Sequence, residues 1–309
     1  MADSIDSKYL SSDKDDKAVS HMKEKTKFII VHGAGSFGHH SAKRYSLQCG
    51  KAVYIKEHSM NYLNQYAALN EKGRRMQMQG LCKTRQSVQK LNAATVSCLI
   101  KHGVNAVSIS PGISVPNLRA HGATDNDSSA QGMQDLCASI DQALDAGLVP
   151  VLHGDACLLY DNIRAGILGG DTIVEGLATL WNKDKKRRSR ISKVIFITDV
   201  DGVYSSDPKS NDDAELIRSI KVDRKTGGVT IERIDNTGKD DASLNVSGSS
   251  HEHDVTGGLK AKLSAAVTIV QSGVDVIISK CGSSCTRQLV KGEWNSIWDV
   301  KAGTLLTQR

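Results

Sequence analysis

The sequence is poor in aromatic residues and has no long apolar run. Phe, Trp and Tyr make up 4% of the 309 residues, which argues against the base-stacking surfaces of nucleic-acid-binding proteins. Nowhere do about 18 apolar residues follow one another, as a membrane-spanning helix requires. The first residues are polar and acidic and lack the apolar core of a signal peptide. We therefore expect a cytoplasmic protein with no nucleic-acid or membrane partner.

The cysteines do not form a metal-binding pattern. There are seven of them, scattered along the chain, and Cys281 and Cys285 have no second pair to complete a zinc site. Reduced, buried thiols and no protein-bound metal are expected. The net charge of +6 suits an enzyme that handles anions but is too diffuse to indicate nucleic acid. Much of the excess lies at 183–190, which is interpreted either as a solvated loop or as a nuclear-import or polyanion-binding patch.

The most informative stretch is KFIIVHGAGSFGHH at residues 27–40, an apolar strand that ends in a glycine-rich turn. Gly33, Gly35 and Gly38 allow positive φ angles, so that consecutive N–H groups can bind one anion. His39 and His40 fall where a helix is expected to begin, and they add side-chain donors to this anion site. A tight turn with solvated histidines is the alternative interpretation.

Strands alternate with helices along the rest of the chain. The predicted strands are 104–110, 149–152, 193–198 and 274–279, and the predicted helices are 81–102, 136–146, 172–181 and one that opens after Gly258. This alternation predicts a parallel sheet with helices on both sides and ligands beyond the carboxyl ends of its strands. HGAG and LHGD fall at such ends. Residues 205–252 are expected to form a long surface excursion with one hairpin around Gly227–Gly228, and the chain is expected to close with an edge strand.

Five motifs in order resemble those of the isopentenyl phosphate kinases, a branch of the amino acid kinase superfamily: HGAGSFGHHSAKRY, LHGD, GGDTIVEGLA, TDVDGVYSSDPK and DVTGGLKAK. The likeness runs from about Lys27 to Thr304, and HGAGSFGH points to this branch. It implies an α/β fold, a three-layer αβα sandwich with a mainly parallel central sheet. Residues 27–309 would form the kinase domain, with the acceptor bound by about 27–182 and the nucleotide by about 183–309. The segment 1–26, which contains no glycine and little apolar material, is expected to be disordered or frayed.

The resemblance implies transfer of the γ-phosphoryl group of ATP, with Mg²⁺, to isopentenyl phosphate in isoprenoid biosynthesis, by a homodimer. A phosphate acceptor is already ionised and needs no general base, in keeping with the lack of a Ser-His-Asp set. Two alternatives stay open. The chain could phosphorylate another small phosphate or phosphonate, or it could be a catalytically impaired nucleotide-binding relative. The second follows because no Lys-x-Gly-Gly turn, with which members of the family open, precedes Lys27.

The same resemblance assigns the site residues. His39 would donate a hydrogen bond to the acceptor phosphate, Asp171 would organise the catalytic cations and Lys262 would hold the nucleotide phosphates. The acceptor would also contact Ala34, Gly35 and Gly170. The nucleotide would be bound by Gly33, Gly35, Asp171, Asp199, Gly202, Tyr204, Gly257, Gly258 and Lys262.

Taken by themselves, some of these residues have plainer interpretations. Asp171 could simply cap a helix. The stretch from Asp199 to Gly202 is also an ordinary turn signal, or part of a calcium loop whose remaining ligands are missing. The apolar face of helix 81–102 is either core or, as in the family, part of a prenyl pocket.

Overall fold

The computed structural model describes residues 26–45, 47, 71–112, 127–158, 165–187, 189–206, 208, 211–232, 257–292 and 303–309. The predicted N-terminal segment lies almost wholly outside these residues. The helices are α1 (Gly35–Arg44), α2 (Glu71–Lys101), α3 (Asp127–Asp145), α4 (Gly170–Trp181), α5 (Gly257–Gln271) and α6 (Ser284–Val290). The strands are β1 (Ile30–His32), β2 (Ala106–Ser108), β3 (Val149–His153), β4 (Asp155–Leu158), β5 (Ala165–Leu168), β6 (Lys193–Thr198), β7 (Val203–Tyr204), β8 (Leu216–Ile217), β9 (Ser219–Val222), β10 (Val229–Glu232), β11 (Asp275–Lys280) and β12 (Thr304–Gln308).

The first sheet has three parallel strands in the order β1-β3-β2 and places His32 opposite His153. Successive side chains of a strand point to opposite faces. Leu152 accordingly packs with Ile140 of α3 and Ile173 of α4, whereas His32 faces α2, where it meets Asn92. The hairpin β4–β5 leaves the end of β3 and packs against α2. Helices therefore cover both faces of this sheet.

The second sheet has five strands in the order β10-β9-β12-β11-β6. Ile278 of β11 packs with Ala266 and Ile269 of α5, whereas Ile277 packs with Leu289 of α6 on the other face. Four of the six strand pairings in the two larger sheets are parallel. The predicted α/β class, with helices on both sides of mainly parallel strands, is confirmed.

Several predictions about single elements are wrong. The last strand was expected at an edge, but β12 lies between β9 and β11, and its Leu306 is fully buried. The stretch 216–232 belongs to the core, because Ile220 and Val222 of β9 are buried there. Among the described residues of that predicted surface excursion, the hairpin around Gly227–Gly228 is confirmed; residues 233–252 lie outside the described residues.

Helix boundaries were also misplaced. Helix α2 begins ten residues before the predicted Leu81, at Glu71, and α1 begins at Gly35 instead of near His39. Within the described ranges, no helix combines the length and the apolar character needed to cross a membrane.

Candidate active site

The glycine-rich turn connects β1 to α1, and its glycines serve different purposes. Only Gly35 has a positive φ, of 51°. A Cβ at Gly38 would lie 2.5 Å from the Cβ of Ala34 and 3.2 Å from Cγ1 of Val88, so this glycine allows α1 to pack on α2. The expectation of positive φ at Gly33 and Gly38 is wrong. Gly38 lies inside α1, where a helical φ is required and the lack of a side chain allows close packing.

Three turns of main chain meet at the carboxyl end of the first sheet. The Gly154 N–H donates to the carbonyl of His32 at 2.8 Å. A Cβ at Gly154 would lie 3.3 Å from the Gly170 nitrogen and 3.5 Å from the Ala34 nitrogen, and one at Gly170 would lie 3.4 Å from the carbonyl oxygen of His32. We call this meeting point of residues 33–35, 154 and 169–170 the amide bed. Clustered backbone N–H groups at a helix N-terminus favour an anion such as phosphate.

Asp171 lies beside the amide bed, in the first turn of α4. The N-cap is Gly169, in an extended conformation, so Asp171 is not the cap residue. Both of its carboxylate oxygens accept hydrogen bonds from Nζ of Lys262, each at 3.1 Å. The side chains are 30% and 26% exposed, so the pair is open to a ligand. The packing of α4 on α5 brings together two residues 91 positions apart.

Lys262 occupies the second turn of α5, since that helix begins with Gly257 and Gly258. The first-turn placement expected from the sequence is therefore wrong by one turn. The positive end of α4 stabilises the Asp171 carboxylate. The carboxylate in turn holds the lysine amino group near the amide bed.

A second group of predicted residues follows β6. Gly202 is buried, and a Cβ there would overlap Oγ1 of Thr304, so packing against β12 is enough to require glycine. The Tyr204 hydroxyl lies 3.5 Å from Oδ2 of Asp201, and burial followed by the Asp201 charge raises the pKa of Tyr204. Asp199 is exposed and its Oδ1 accepts from Thr198 Oγ1 at 3.1 Å.

Sequence analysis missed a buried ion pair below the hairpin β4–β5. Nη1 of Arg85 lies 2.6 Å from Oδ2 of Asp155, with the two side chains 12% and 0% exposed. The N–H groups of Gly112 and Ala156 also donate to this carboxylate, at 3.0 and 2.9 Å. Burial raises the pKa of Asp155, while Arg85 acts in the opposite direction. The pair joins α2 to the strand that leaves the amide bed.

Sequence analysis also missed two histidines under the amide bed. The rings of His32 and His153 are 5.9 Å apart. Burial lowers the pKa of His153, which keeps its imidazole neutral. Asn92, itself 1% exposed, donates to Nε2 of His32 at 3.1 Å. A signal was present: Arg85 and Asn92 recur with Val88 at helical spacing, as residues on one buried face do.

The basic run 183–190 is partly structural. The guanidinium of Arg187 stacks 4.6 Å from the Trp181 ring and donates to Asp141 at 2.9 Å. Nη1 of Arg190 donates to the carbonyl oxygen of Asn182 at 2.7 Å. These contacts favour the loop interpretation over a polyanion-binding patch.

Comparisons with known proteins agree with this arrangement. The profile of the amino acid kinase family matches residues 10–280. The chain is 32% identical over 303 residues to an isopentenyl phosphate kinase of Arabidopsis thaliana, covering 96% of this chain and 77% of the relative. It is 29% identical over 248 residues to the enzyme of the same name from Methanothermobacter thermautotrophicus, covering 80% of this chain and 73% of that one.

The fold has a counterpart among solved structures. An X-ray structure of an isopentenyl phosphate kinase superposes with a TM-score of 0.58 at 24% identity, covering 91% of this chain and 84% of that chain. This likeness confirms the fold that the resemblance implied. The chain belongs to the amino acid kinase family and, within it, groups with the isopentenyl phosphate kinases.

Proposed function

We propose that this chain transfers the γ-phosphoryl group of ATP to isopentenyl phosphate and so forms isopentenyl diphosphate. The observation that carries the proposal is the amide bed, where three main-chain turns meet beside the Asp171–Lys262 pair. Phosphoryl transfer requires two anionic groups to be held in line while positive groups absorb the charge of the transferred phosphoryl. The name of the Arabidopsis relative supports the choice of acceptor.

The acceptor phosphate is proposed to bind the backbone of Ala34, Gly35 and Gly170, with His39 as a side-chain donor. His39 is exposed on the second turn of α1, where a ligand can reach it. The acceptor oxygen is already ionised, so the residues need only to bind and orient it.

The nucleotide phosphates are proposed to lie near Lys262, which Asp171 orients. The remaining nucleotide contacts are proposed at Gly33, Gly35, Asp199, Gly202, Tyr204, Gly257 and Gly258. Across the described residues there is no group of three or more His, Cys, Asp or Glu side chains placed to hold a metal ion. Mg²⁺ is proposed to arrive bound to ATP, where it would offset phosphate charge. A homodimer and a cytoplasmic location stay predictions.

A coupled assay of ADP release tests the proposal. Isopentenyl phosphate should be turned over with a higher kcat/KM than other alkyl phosphates, small phosphonates or free amino acids. A higher kcat/KM for a phosphonate would contradict the proposal and identify the phosphonate as the acceptor. ATP binding by calorimetry without turnover of any acceptor would identify a non-catalytic nucleotide-binding protein.

The role of His39 has a matched control in the next residue. His39→Ala should lower kcat/KM for isopentenyl phosphate about tenfold to 100-fold, the range expected when one hydrogen bond to a charged group is lost. His40→Ala removes a second exposed histidine from the same helix and should change kcat/KM by less than about twofold. Equal effects of the two changes would contradict the assignment of His39.

A further inference from the structure

The dipeptide His-Gly occurs at the ends of two strands that lie in register, β1 and β3. In both places the histidine ring makes a hydrogen bond to the carbonyl of the glycine that follows it. Nδ1 of His32 lies 2.9 Å from the carbonyl oxygen of Gly33, and Nδ1 of His153 lies 3.0 Å from that of Gly154. A carbonyl oxygen can only accept, so Nδ1 carries the hydrogen in both rings. In a neutral ring, Nε2 is then an acceptor.

The hydrogen bond from His32 sets the direction of one amide in the bed. The carbonyl of Gly33 and the N–H of Ala34 belong to one trans peptide group and point in opposite directions. While the ring holds the carbonyl, the Ala34 N–H is turned away from His32. The Ala34 nitrogen lies at the meeting point of the turns, 3.5 Å from where a Cβ of Gly154 would be.

Asn92 of α2 favours the same position of the hydrogen on His32 from the other side of the ring. Its Nδ2 donates to Nε2 of His32 at 3.1 Å and to the carbonyl of Val151 at 3.3 Å. Its Oδ1 accepts from Ser108 Oγ, and the Val151 carbonyl, which can only accept, fixes the amide orientation. A donor facing Nε2 excludes a hydrogen there, so the hydrogen stays on Nδ1.

His153 provides a comparison within the same protein. Its Nε2 is buried, and no hydrogen-bond partner for it occurs among the described residues. Its Nδ1 nevertheless makes the same bond to the following glycine. The Nδ1 bond therefore forms without a donor at Nε2, and at His32 the Asn92 amide adds a second constraint on the ring.

We propose that Asn92 and His32 are positioning residues for the acceptor phosphate. The series Ser108, Asn92, His32 fixes the Gly33–Ala34 peptide plane and thereby aims the Ala34 N–H at the bound anion. The kinetic part of this proposal rests on the proposed function. Its structural part, the hydrogen on Nδ1 of His32, does not.

The kinetic test uses Asn92→Leu, which keeps the branched shape of the side chain, with bulkier ends, and removes both of its hydrogen-bonding groups. KM for isopentenyl phosphate should rise about tenfold, the effect of one misdirected hydrogen bond to a charged group. KM for ATP and kcat should stay within about twofold. Thr95→Val is the control, because it removes a half-buried hydroxyl of the same helix whose hydrogen bond, among the described residues, goes to the Leu91 carbonyl at 3.0 Å. A rise in both KM values, or the same rise in the control, would overturn the proposal.

The spectroscopic test needs no catalytic activity. Ring ¹⁵N spectra should show hydrogen on Nδ1 of His32 in the wild type and a larger share of the neutral form with hydrogen on Nε2 in Asn92→Leu, while the His153 signals stay unchanged. Titration with inorganic phosphate should shift the Ala34 amide signal less in the variant. Ser108→Ala, which removes the donor to Asn92 Oδ1 but leaves Asn92 in place, should produce smaller changes in the same direction. Unchanged His32 signals in both variants would refute the positioning role even if the acceptor proves to be a different one.

Discussion

Glu175 provides the most quantitative prediction. It lies on α4 one turn after Asp171, is 7% exposed and stands between core residues of that helix, such as Ile173 and Leu177. Burial raises its pKa from 4.5 to about 7. The folded state therefore keeps a proton on Glu175 in a pH range where the unfolded chain has lost it.

The sign of the pH effect follows from this proton. Stability is full below the unfolded pKa of 4.5 and falls as the pH rises to about 7, because the unfolded chain ionises in this range while the buried carboxyl of the folded state stays protonated. The interval between the two values corresponds to about 3 kcal/mol. Above pH 7, wild-type protein should carry this cost in full.

Glu175→Gln keeps the shape of the side chain and cannot ionise. In urea unfolding, the variant should exceed the wild type by about 3 kcal/mol at pH 8.5, and the difference should vanish below about pH 5. The control is Asp212→Asn, which removes the same charge from an exposed turn and should change stability by less than about 0.5 kcal/mol. A difference that is absent at pH 8.5, or the same at every pH, would show that Glu175 is not buried in its neutral form.

Three further changes test the packing and the charges around the site. Gly38→Ala forces a Cβ against that of Ala34 and should cost about 1–3 kcal/mol in thermal unfolding; an unchanged Tm would mean that α1 does not pack closely on α2. Arg85→Met should cost about 3–5 kcal/mol, because it leaves the Asp155 carboxylate buried without a cation; the second change Asp155→Asn should restore part of this loss, and simple additivity would contradict the pairing. Lys262→Met should raise KM for ATP about tenfold or more, because it removes a charged partner of the nucleotide phosphates. The free energy of unfolding should change little, because the lysine is partly exposed. A lysine with a purely structural role would lower the free energy of unfolding and leave KM for ATP unchanged.

The alternation of strands and helices was predictable because apolar periodicity records local burial. Strand β6 was predicted with the same limits as found, and Gly147 ends α3 at the expected place with a φ of 75°. The position of β12 was not predictable in this way. Its neighbours β9 and β11 are distant in sequence, and no local pattern in 304–308 distinguishes a central strand from an edge strand.

The site was predictable to the extent that its residues form motifs. The glycines at the turns, Asp171 and Lys262 were named from the resemblance, and Lys262 lies 3.1 Å from Asp171, while their roles toward the substrates stay predictions. The reason why each position is a glycine could not be predicted. In the sequence, a glycine needed for close packing, such as Gly202, looks the same as one needed for close approach to a ligand. The role of Asn92 was hidden for a related reason: its partner His32 lies 60 residues away.

The amide bed is made of backbone peptide groups, whose N–H every amino acid except proline carries. No side chain can therefore reverse its polarity, and a substitution at Gly154 or Gly170 can only obstruct it. The proposed recognition of the phosphate thus depends on the path of the chain itself. Under that proposal, evolution toward a different acceptor must proceed through side chains outside the bed.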